Sequence, residues 1–194
     1  VTPVLSAADA AAPERAAEAL RKPGAVILVP TETVYGLVCR AADAVAAERI
    51  YELKHRDGGK RLGVFVPDET SLSQLDVTLS ELGKRLFDQF CPGPLTLIVP
   101  TRSGSTLGFR CPDHPFLARL LRACAEPLLQ TSANRSGMPD ARSPKEALDQ
   151  LTGEVDLAVD AGLLAPDACA STVADCTGKT VKILRQGSLV LPLD

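Results

Sequence analysis

The sequence predicts an α/β (α+β) protein with a twisted mixed β-sheet and flanking helices. Short apolar runs of strand length recur along the 194 residues. Some are separated by amphipathic segments with helix-capping signals, whereas others follow one another directly. That irregular alternation favours a mixed sheet over a regular doubly wound one. The length fits a single domain, 1–194, with a substantial core, and no repeat or linker divides it.

From the N-terminus, Pro13 to about Leu20 reads as an amphipathic helix, with Pro at its start and Gly24 past its end. Ala25 to Val29 is a strand feeding the polar patch Pro30-Thr31-Glu32-Thr33. A helix over about Asp43 to Lys54 places Ala46, Ile50 and Leu53 on one face. Its C-terminal end delivers Lys54 and Arg56, where the helix dipole favours cations. Leu62 to Val66 reads as a buried strand. Thr78-Leu79-Ser80-Glu81 reads as a capping box that opens a helix ending at Cys91-Pro92-Gly93-Pro94. Leu95 to Val99 and Leu107 to Arg110 are strands, and Pro115 to Cys124 is a helix with Leu117, Leu120, Leu121 and Cys124 inward. Pro127 to Gln130 is a short strand, and Ser143-Pro144-Lys145-Glu146 opens another helix. Val155 to Val159, Thr172 to Ala174 and Val181 to Leu184 make the last third strand-rich.

The net charge of -3 argues against a general nucleic-acid binder. One local exception runs from Arg49 to Arg61, with five Lys/Arg and two Asp/Glu, a balance of +3. No segment approaches the roughly 18 apolar residues of a membrane span, and the N-terminus lacks a basic region followed by an apolar one. These features predict a cytoplasmic protein. Six scattered cysteines without a Cys-x-x-Cys pair, and two distant histidines, predict reduced thiols and no metal held by protein side chains. Gly178-Lys179-Thr180 ends like a phosphate loop, but Val173 stands where that motif needs Gly.

Four polar patches interrupt the apolar runs. They are Thr31/Thr33, Lys54/Arg56 with Lys60 and Arg61 after Gly58-Gly59, Ser132/Asn134, and Ser171 with Arg185 downstream. Glycines let backbone N–H groups approach an anion, and the cations supply charge. In an extended segment, Thr31 and Thr33 would share one face, with Glu32 on the other. Arg110, at a strand end, suits either a bidentate carboxylate contact or a structural ion pair. Ser132 and Asn134 suit phosphate or ribose oxygens, or equally a local turn. The inventory of cations, hydroxyls and a carboxamide, with no thiol–imidazole pair, fits holding anions better than covalent catalysis.

Together these patches resemble the YrdC-like family, the L-threonylcarbamoyladenylate synthases, from about Ala25 to Leu189. The resemblance rests on Pro-Thr-Glu-Thr-Val-Tyr-Gly-Leu at 30–37, Lys-x-Arg at 54–56, Pro-Gly-Pro-Leu-Thr-Leu at 92–97 and Arg-x-Pro-x-His-Pro at 110–115. It continues with Thr-Ser-Ala-Asn-x-Ser-Gly at 131–137, Ser-Thr-Val at 171–173 and Leu-Arg-x-Gly at 184–187. It implies a YrdC-like fold with a large concave cleft, in the short single-domain form. The implied enzyme is a nucleotidyltransferase that makes threonylcarbamoyl-AMP and pyrophosphate from L-threonine, bicarbonate or carbon dioxide, and ATP with Mg2+. Its product would pass transiently to a downstream tRNA threonylcarbamoyl transferase complex acting on tRNA adenosine 37, with at most weak contact to tRNA itself. By resemblance, Lys54 and Arg56 are catalytic and bind ATP with Lys60, Ser132, Asn134 and Arg185. Thr31, Arg110 and Ser171 bind L-threonine.

Three departures from the family pattern bear on these contacts. Arg56 is followed by Asp57 rather than Pro, and Lys60-Arg61-Leu62 replaces Lys-Pro-Leu or Asn-Pro-Leu. Phe65 stands where some relatives have a threonine-contacting His, and Asp140 where a small hydroxyl is common. Two rivals remain: a carbamoyl-adenylate-forming domain of a carbamoyltransferase, and an RNA-binding module using the Arg49–Arg61 cluster. The first normally sits beside zinc fingers and an acylphosphatase domain. The second predicts salt-sensitive RNA affinity, but the chain lacks an aromatic stacking set.

Overall fold

A computed structural model describes residues 1–192, so the last two residues of the predicted 1–194 domain lie outside it. The elements run β1 (Val4–Ser6), α1 (Ala12–Leu20), β2 (Ile27–Val29), β3 (Gly36–Arg40), α2 (Ala44–Lys54) and β4 (Gly63–Phe65). A 3-10 turn (Thr70–Gln74) precedes α3 (Glu81–Phe90), β5 (Leu95–Pro100), β6 (Thr106–Arg110), α4 (Pro115–Cys124) and β7 (Leu128–Ser132). The chain continues through α5 (Pro144–Gln150), β8 (Leu157–Asp160), β9 (Thr172–Asp175) and β10 (Lys182–Arg185). All ten strands join one sheet, in the order β1-β8-β2-β3-β7-β4-β6-β5-β9-β10. Pairings are mixed: β2 and β3 are antiparallel, for example, whereas β4 and β6 are parallel.

Side-chain alternation explains the layers. On β2, Ile27 and Val29 face a core shared with α1 and α4, while Leu28 faces a second core shared with α2 and α5. Both faces of this half are covered, and β2 is wholly buried. In the other half only one face is apolar. Leu95, Leu97 and Val99 of β5 and Phe109 of β6 pack with Leu86 and Phe87 of α3. The alternating residues Thr96, Ile98, Gly108 and Arg110 therefore project to the opposite face and line an open cleft.

Local signals place the helices that frame this cleft. The Asp43 carboxylate caps α2 through the N–H of Ala46 (2.9 Å) and also accepts from Gly24 N–H (2.7 Å). These bonds hold the Asp43 carboxyl below its usual pKa. At the other end of α2, His55 turns left-handed (φ 46) and stops the helix. Carbonyls freed there are taken up by Ser136 N–H on Lys54 (2.9 Å) and Thr152 N–H on Leu53 (3.1 Å). The last turn of α2 is thereby tied to the segment after β7.

Several boundaries differ from the sequence expectation. The cap of α3 is Ser80, whose hydroxyl accepts from Gly83 N–H (3.1 Å), so the helix opens two residues later than a Thr78 cap would place it. In α5, Ser143 caps through Glu146 N–H (3.1 Å), but the Glu146 carboxylate returns to Arg142 N–H (2.9 Å), one residue earlier than the capping box implies. β7 continues through Ser132 because it pairs with β3, matching Ser132 to Gly36. Neither β1 nor β3 was expected from sequence.

Candidate functional site

The cleft has a volume of about 560 Å3 and draws its lining from the β2–β3 loop, the α2–β4 loop, β4, β5, β6, β7 and the β9–β10 region. Four arginines line it: Arg56, Arg61, Arg110 and Arg185. No carboxylate, lysine, histidine or cysteine side chain is among the described lining residues. Only Arg110 of the four has a carboxylate partner, Glu32 outside the lining, among the described residues, so the cations give the cleft a positive potential that favours an anionic occupant.

At one end Arg110, 4% exposed, is held by several partners. Its Nε donates to Gly93 O (3.2 Å) and its Nη1 to Thr33 Oγ1 (2.9 Å). Its guanidinium lies 5.9 Å from the Phe65 ring centroid, a cation–π contact. Nη2 approaches Glu32 Oε1 to 2.6 Å but lacks the alignment of a hydrogen bond. Glu32 Oε1 also accepts from Asp113 N–H (2.9 Å), whereas Glu32 Oε2 and His114 Nδ1 are buried without partners. Burial lowers the His114 pKa. Arg110 Nη2, a buried donor without an aligned hydrogen-bond partner, is the atom from which a ligand carboxylate can accept.

The Thr31–Glu32–Thr33 segment is not extended. It forms the loop of the β2–β3 hairpin, and Thr31 Oγ1 accepts from Thr33 N–H (2.9 Å) and Val34 N–H (3.1 Å) while donating to Val34 O (2.7 Å). The two threonine hydroxyls still lie together, 2.8 Å apart. Thr31 therefore shapes the turn, and Thr33 is the residue that touches Arg110. A second buried hydroxyl pair adjoins them across the sheet, Thr96 Oγ1 and Ser171 Oγ at 2.8 Å.

Arg185, expected beside Ser132 and Asn134, instead donates from Nε to Ser171 O (2.9 Å) and from Nη2 to Ser171 Oγ (3.2 Å). It joins residues expected to serve threonine. Burial lowers its pKa. The approach of β10 requires Gly187. A Cβ there would sit 2.3 Å from Ala170 O and 2.5 Å from Thr172 N, both backbone atoms.

At the opposite end, Arg56 Nε donates to Lys60 O (3.0 Å) and Nη2 to Arg61 O (3.1 Å), folding the Gly58-Gly59 loop around its guanidinium. Burial lowers the Arg56 pKa. Lys54 lies behind the wall rather than on it. Its ammonium donates to the carbonyls of Ser132 and Asn134, and the side chain is 1% exposed. Burial, aided by Arg56, brings its pKa down to about 8. Asn134 is also turned inward: Oδ1 accepts from Ser132 Oγ (2.5 Å) and Nδ2 donates to Met138 O (2.5 Å). Lys54 and Asn134 thus build the turn that presents Ser132. Lys60 is exposed and outside the cleft lining, because the loop points its carbonyl, not its side chain, at Arg56.

The basic run Arg49–Arg61 does not form one surface. Arg49 pairs with Asp156 and donates to Gly24 O (2.9 Å), and Lys54 is buried. Only Arg56 and Arg61 of the five cations reach the cleft. Thr96 was not singled out from the sequence, and Thr33 and Arg61, though named in the polar patches, were not given their particular contacts with Arg110 and the β5–β6 hairpin. A polar Thr96 between Leu95 and Leu97 was the available signal.

The Sua5/YciO/YrdC profile, described as "Telomere recombination", matches residues 18–187. The chain belongs to this family. It is 34% identical over 185 residues to a threonylcarbamoyl-AMP synthase of Bacillus subtilis, covering 89% of this chain and 53% of that protein. Among solved structures it resembles Pyrococcus abyssi Sua5 complexed with L-threonine, with TM-score 0.87 and 29% identity over 97% of this chain and 58% of that one. It also resembles Escherichia coli YciO, with TM-score 0.85 and 28% identity over 97% of both chains. The chain thus spans about half the length of the Bacillus subtilis and Pyrococcus abyssi synthases. The mixed α/β sheet with flanking helices and a cleft agrees with the expected family fold. Among the described residues, no helix is long and apolar enough to cross a membrane.

Proposed function

We propose that this chain is a nucleotidyltransferase that makes threonylcarbamoyl-AMP and pyrophosphate from L-threonine, bicarbonate or carbon dioxide, and ATP. The observation that carries this reading is one cleft lined by four arginines and by no carboxylate, lysine, histidine or cysteine side chain among the described lining residues. Such a site suits a reaction whose nucleophile is made from the substrates. The threonine amine adds to carbon dioxide and loses a proton, giving a carbamate. A carbamate oxygen then attacks the α-phosphorus of ATP, the bond to the bridging oxygen breaks, and pyrophosphate leaves with the electron pair. The protein positions two anions and stabilises charge on phosphorus.

Arg110 takes the threonine carboxylate, with Thr33 and the Thr31 turn on one side and Ser171 on the other. Arg56 meets the phosphates, Ser132 supplies a hydroxyl, and Lys54 holds the Ser132–Asn134 turn while adding positive potential behind it. Arg185 holds Ser171 through its backbone carbonyl and hydroxyl. Among the described residues no three His, Cys, Asp or Glu lie together as a metal site. Mg2+ enters as part of the ATP substrate, held by phosphate oxygens. The product passes to a tRNA threonylcarbamoyl transferase complex in the cytoplasm for modification of adenosine 37, through a transient contact and at most weak binding of tRNA.

The test is pyrophosphate release from ATP with and without L-threonine and bicarbonate. Release that requires both, with formation of the adenylate, supports the reading. Equal turnover with carbamoyl phosphate in their place would favour a carbamoyltransferase domain instead. Salt-sensitive RNA binding with no ATP chemistry would favour the RNA-binding module.

A further inference from the structure

Arg61 is a cleft arginine that the sequence pattern marks only as one of the loop cations after Gly58-Gly59 able to charge an anion site, and the family resemblance gives it no role. It stands where the family pattern has Pro, so relatives with that pattern have no side-chain donor at this point. Its Nη1 donates to Ser105 Oγ (3.1 Å) and Thr106 O (3.0 Å) on the β5–β6 hairpin. Those contacts anchor the side chain along β6 and direct it into the cleft. No carboxylate pairs with it among the described residues. Its backbone carbonyl is gripped by Arg56 Nη2 (3.1 Å), so the two arginines form one unit.

Position along the strands decides what this unit meets. Parallel pairing matches Val64 to Phe109 and Phe65 to Arg110, which sets Arg61 level with Thr106. Arg61 and Arg110 therefore stand at opposite ends of β6, about 13 Å apart at roughly 3.3 Å per residue. With the amino-acid carboxylate on Arg110, the carbamate and α-phosphorus extend away from it, and the departing phosphates fall at the far end.

We propose that Arg61 binds the β- and γ-phosphates of the nucleotide and the pyrophosphate that leaves. This inference rests on the proposed adenylate-forming reaction and deepens it. As the bond from the α-phosphorus to the bridging oxygen breaks, the electron pair goes to pyrophosphate, and the Arg61 guanidinium neutralises the charge that develops there. Lys60, the cation expected from sequence to assist, has no part in this.

Calorimetry with a non-hydrolysable ATP analogue, pyrophosphate, AMP and L-threonine, on the wild type and on Arg61→Ala and Lys60→Ala, tests it. Arg61→Ala should weaken the ATP analogue and pyrophosphate by about tenfold, equivalent to about 1.4 kcal/mol, while AMP and threonine change by less than about twofold. Arg61→Lys should recover part of the loss, and Lys60→Ala should bind all four like the wild type. Because Arg61 is exposed, melting temperatures should not change with the substitution. Unchanged affinity for the analogue and pyrophosphate in Arg61→Ala, or an equal loss for AMP, would overturn the proposal. A wild type that binds neither the analogue nor AMP would instead overturn the adenylate-forming reading, and this inference with it.

Discussion

At the Arg110 end of the cleft the hydroxyls are already paired and the arginine is fixed by β6, Gly93, Thr33 and Phe65. At the Arg56 end the guanidinium rests on carbonyls of its own loop, which a phosphate can replace. Arg110 is almost wholly buried, whereas Arg61 is exposed. The difference teaches that one cleft can hold two kinds of anion site. A prebuilt, desolvated arginine suits a small carboxylate. A loop that can re-form its hydrogen bonds suits a long, highly charged anion such as a triphosphate.

The largest effect should come from breaking the prebuilt end. Arg110→Ala leaves the half-buried Glu32 carboxylate without its cation and removes the proposed threonine partner. Threonine affinity should fall by about 2–5 kcal/mol, the usual cost of truncating a desolvated charged pair, while ATP-analogue affinity holds, as calorimetry can measure. At the other end, Arg56→Ala should lower kcat/KM by roughly 2–4 kcal/mol in transition-state free energy if it stabilises charge on phosphorus. Threonine binding should be unchanged in that variant. A loss of threonine binding there would erase the distinction between the ends.

Lys54 gives a test of the wall between them. Burial brings its pKa from an ordinary 10.5 to about 8, so between these values the unfolded chain binds a proton that the folded chain does not. Stability should therefore rise with pH through this window, by at most about 1.4 kcal/mol per pH unit. Melting curves of the wild type and Lys54→Met from pH 7.5 to 10 check the sign: the wild type should gain on the variant as pH rises. The smallest effect should follow Thr96→Val, which removes one hydroxyl of the pair with Ser171 while Arg185 still donates to the other. A cost of about 1 kcal/mol in threonine binding, with none in nucleotide binding, would place this pair with the Arg110 end.

Much of the fold was legible because capping and periodicity are local. α4 spans Pro115–Cys124 as its Pro and apolar spacing predicted, and α2 ends at Lys54 as expected. β1 was missed because it is three residues long with only Leu5 buried. β3 was missed because Gly36 to Arg40 continues the polar motif that reads as a loop, and its strand state comes from pairing with β2 and β7. The site was legible as a set of residues but not as an arrangement. Sequence spacing cannot say that Arg185 would reach Ser171, that Lys54 and Asn134 would turn inward, or that Arg61 rather than Lys60 would face the cleft. Those outcomes depend on strand order and register, which are set by contacts between distant segments.

The central claim is that the Arg110 end is complete before nucleotide arrives, and its most direct test is titration of L-threonine into the nucleotide-free protein. The account predicts saturable binding to the wild type, retained in Arg56→Ala and lost in Arg110→Ala. Threonine binding that appears only after ATP is added, or that survives in Arg110→Ala and disappears in Arg56→Ala, would contradict it.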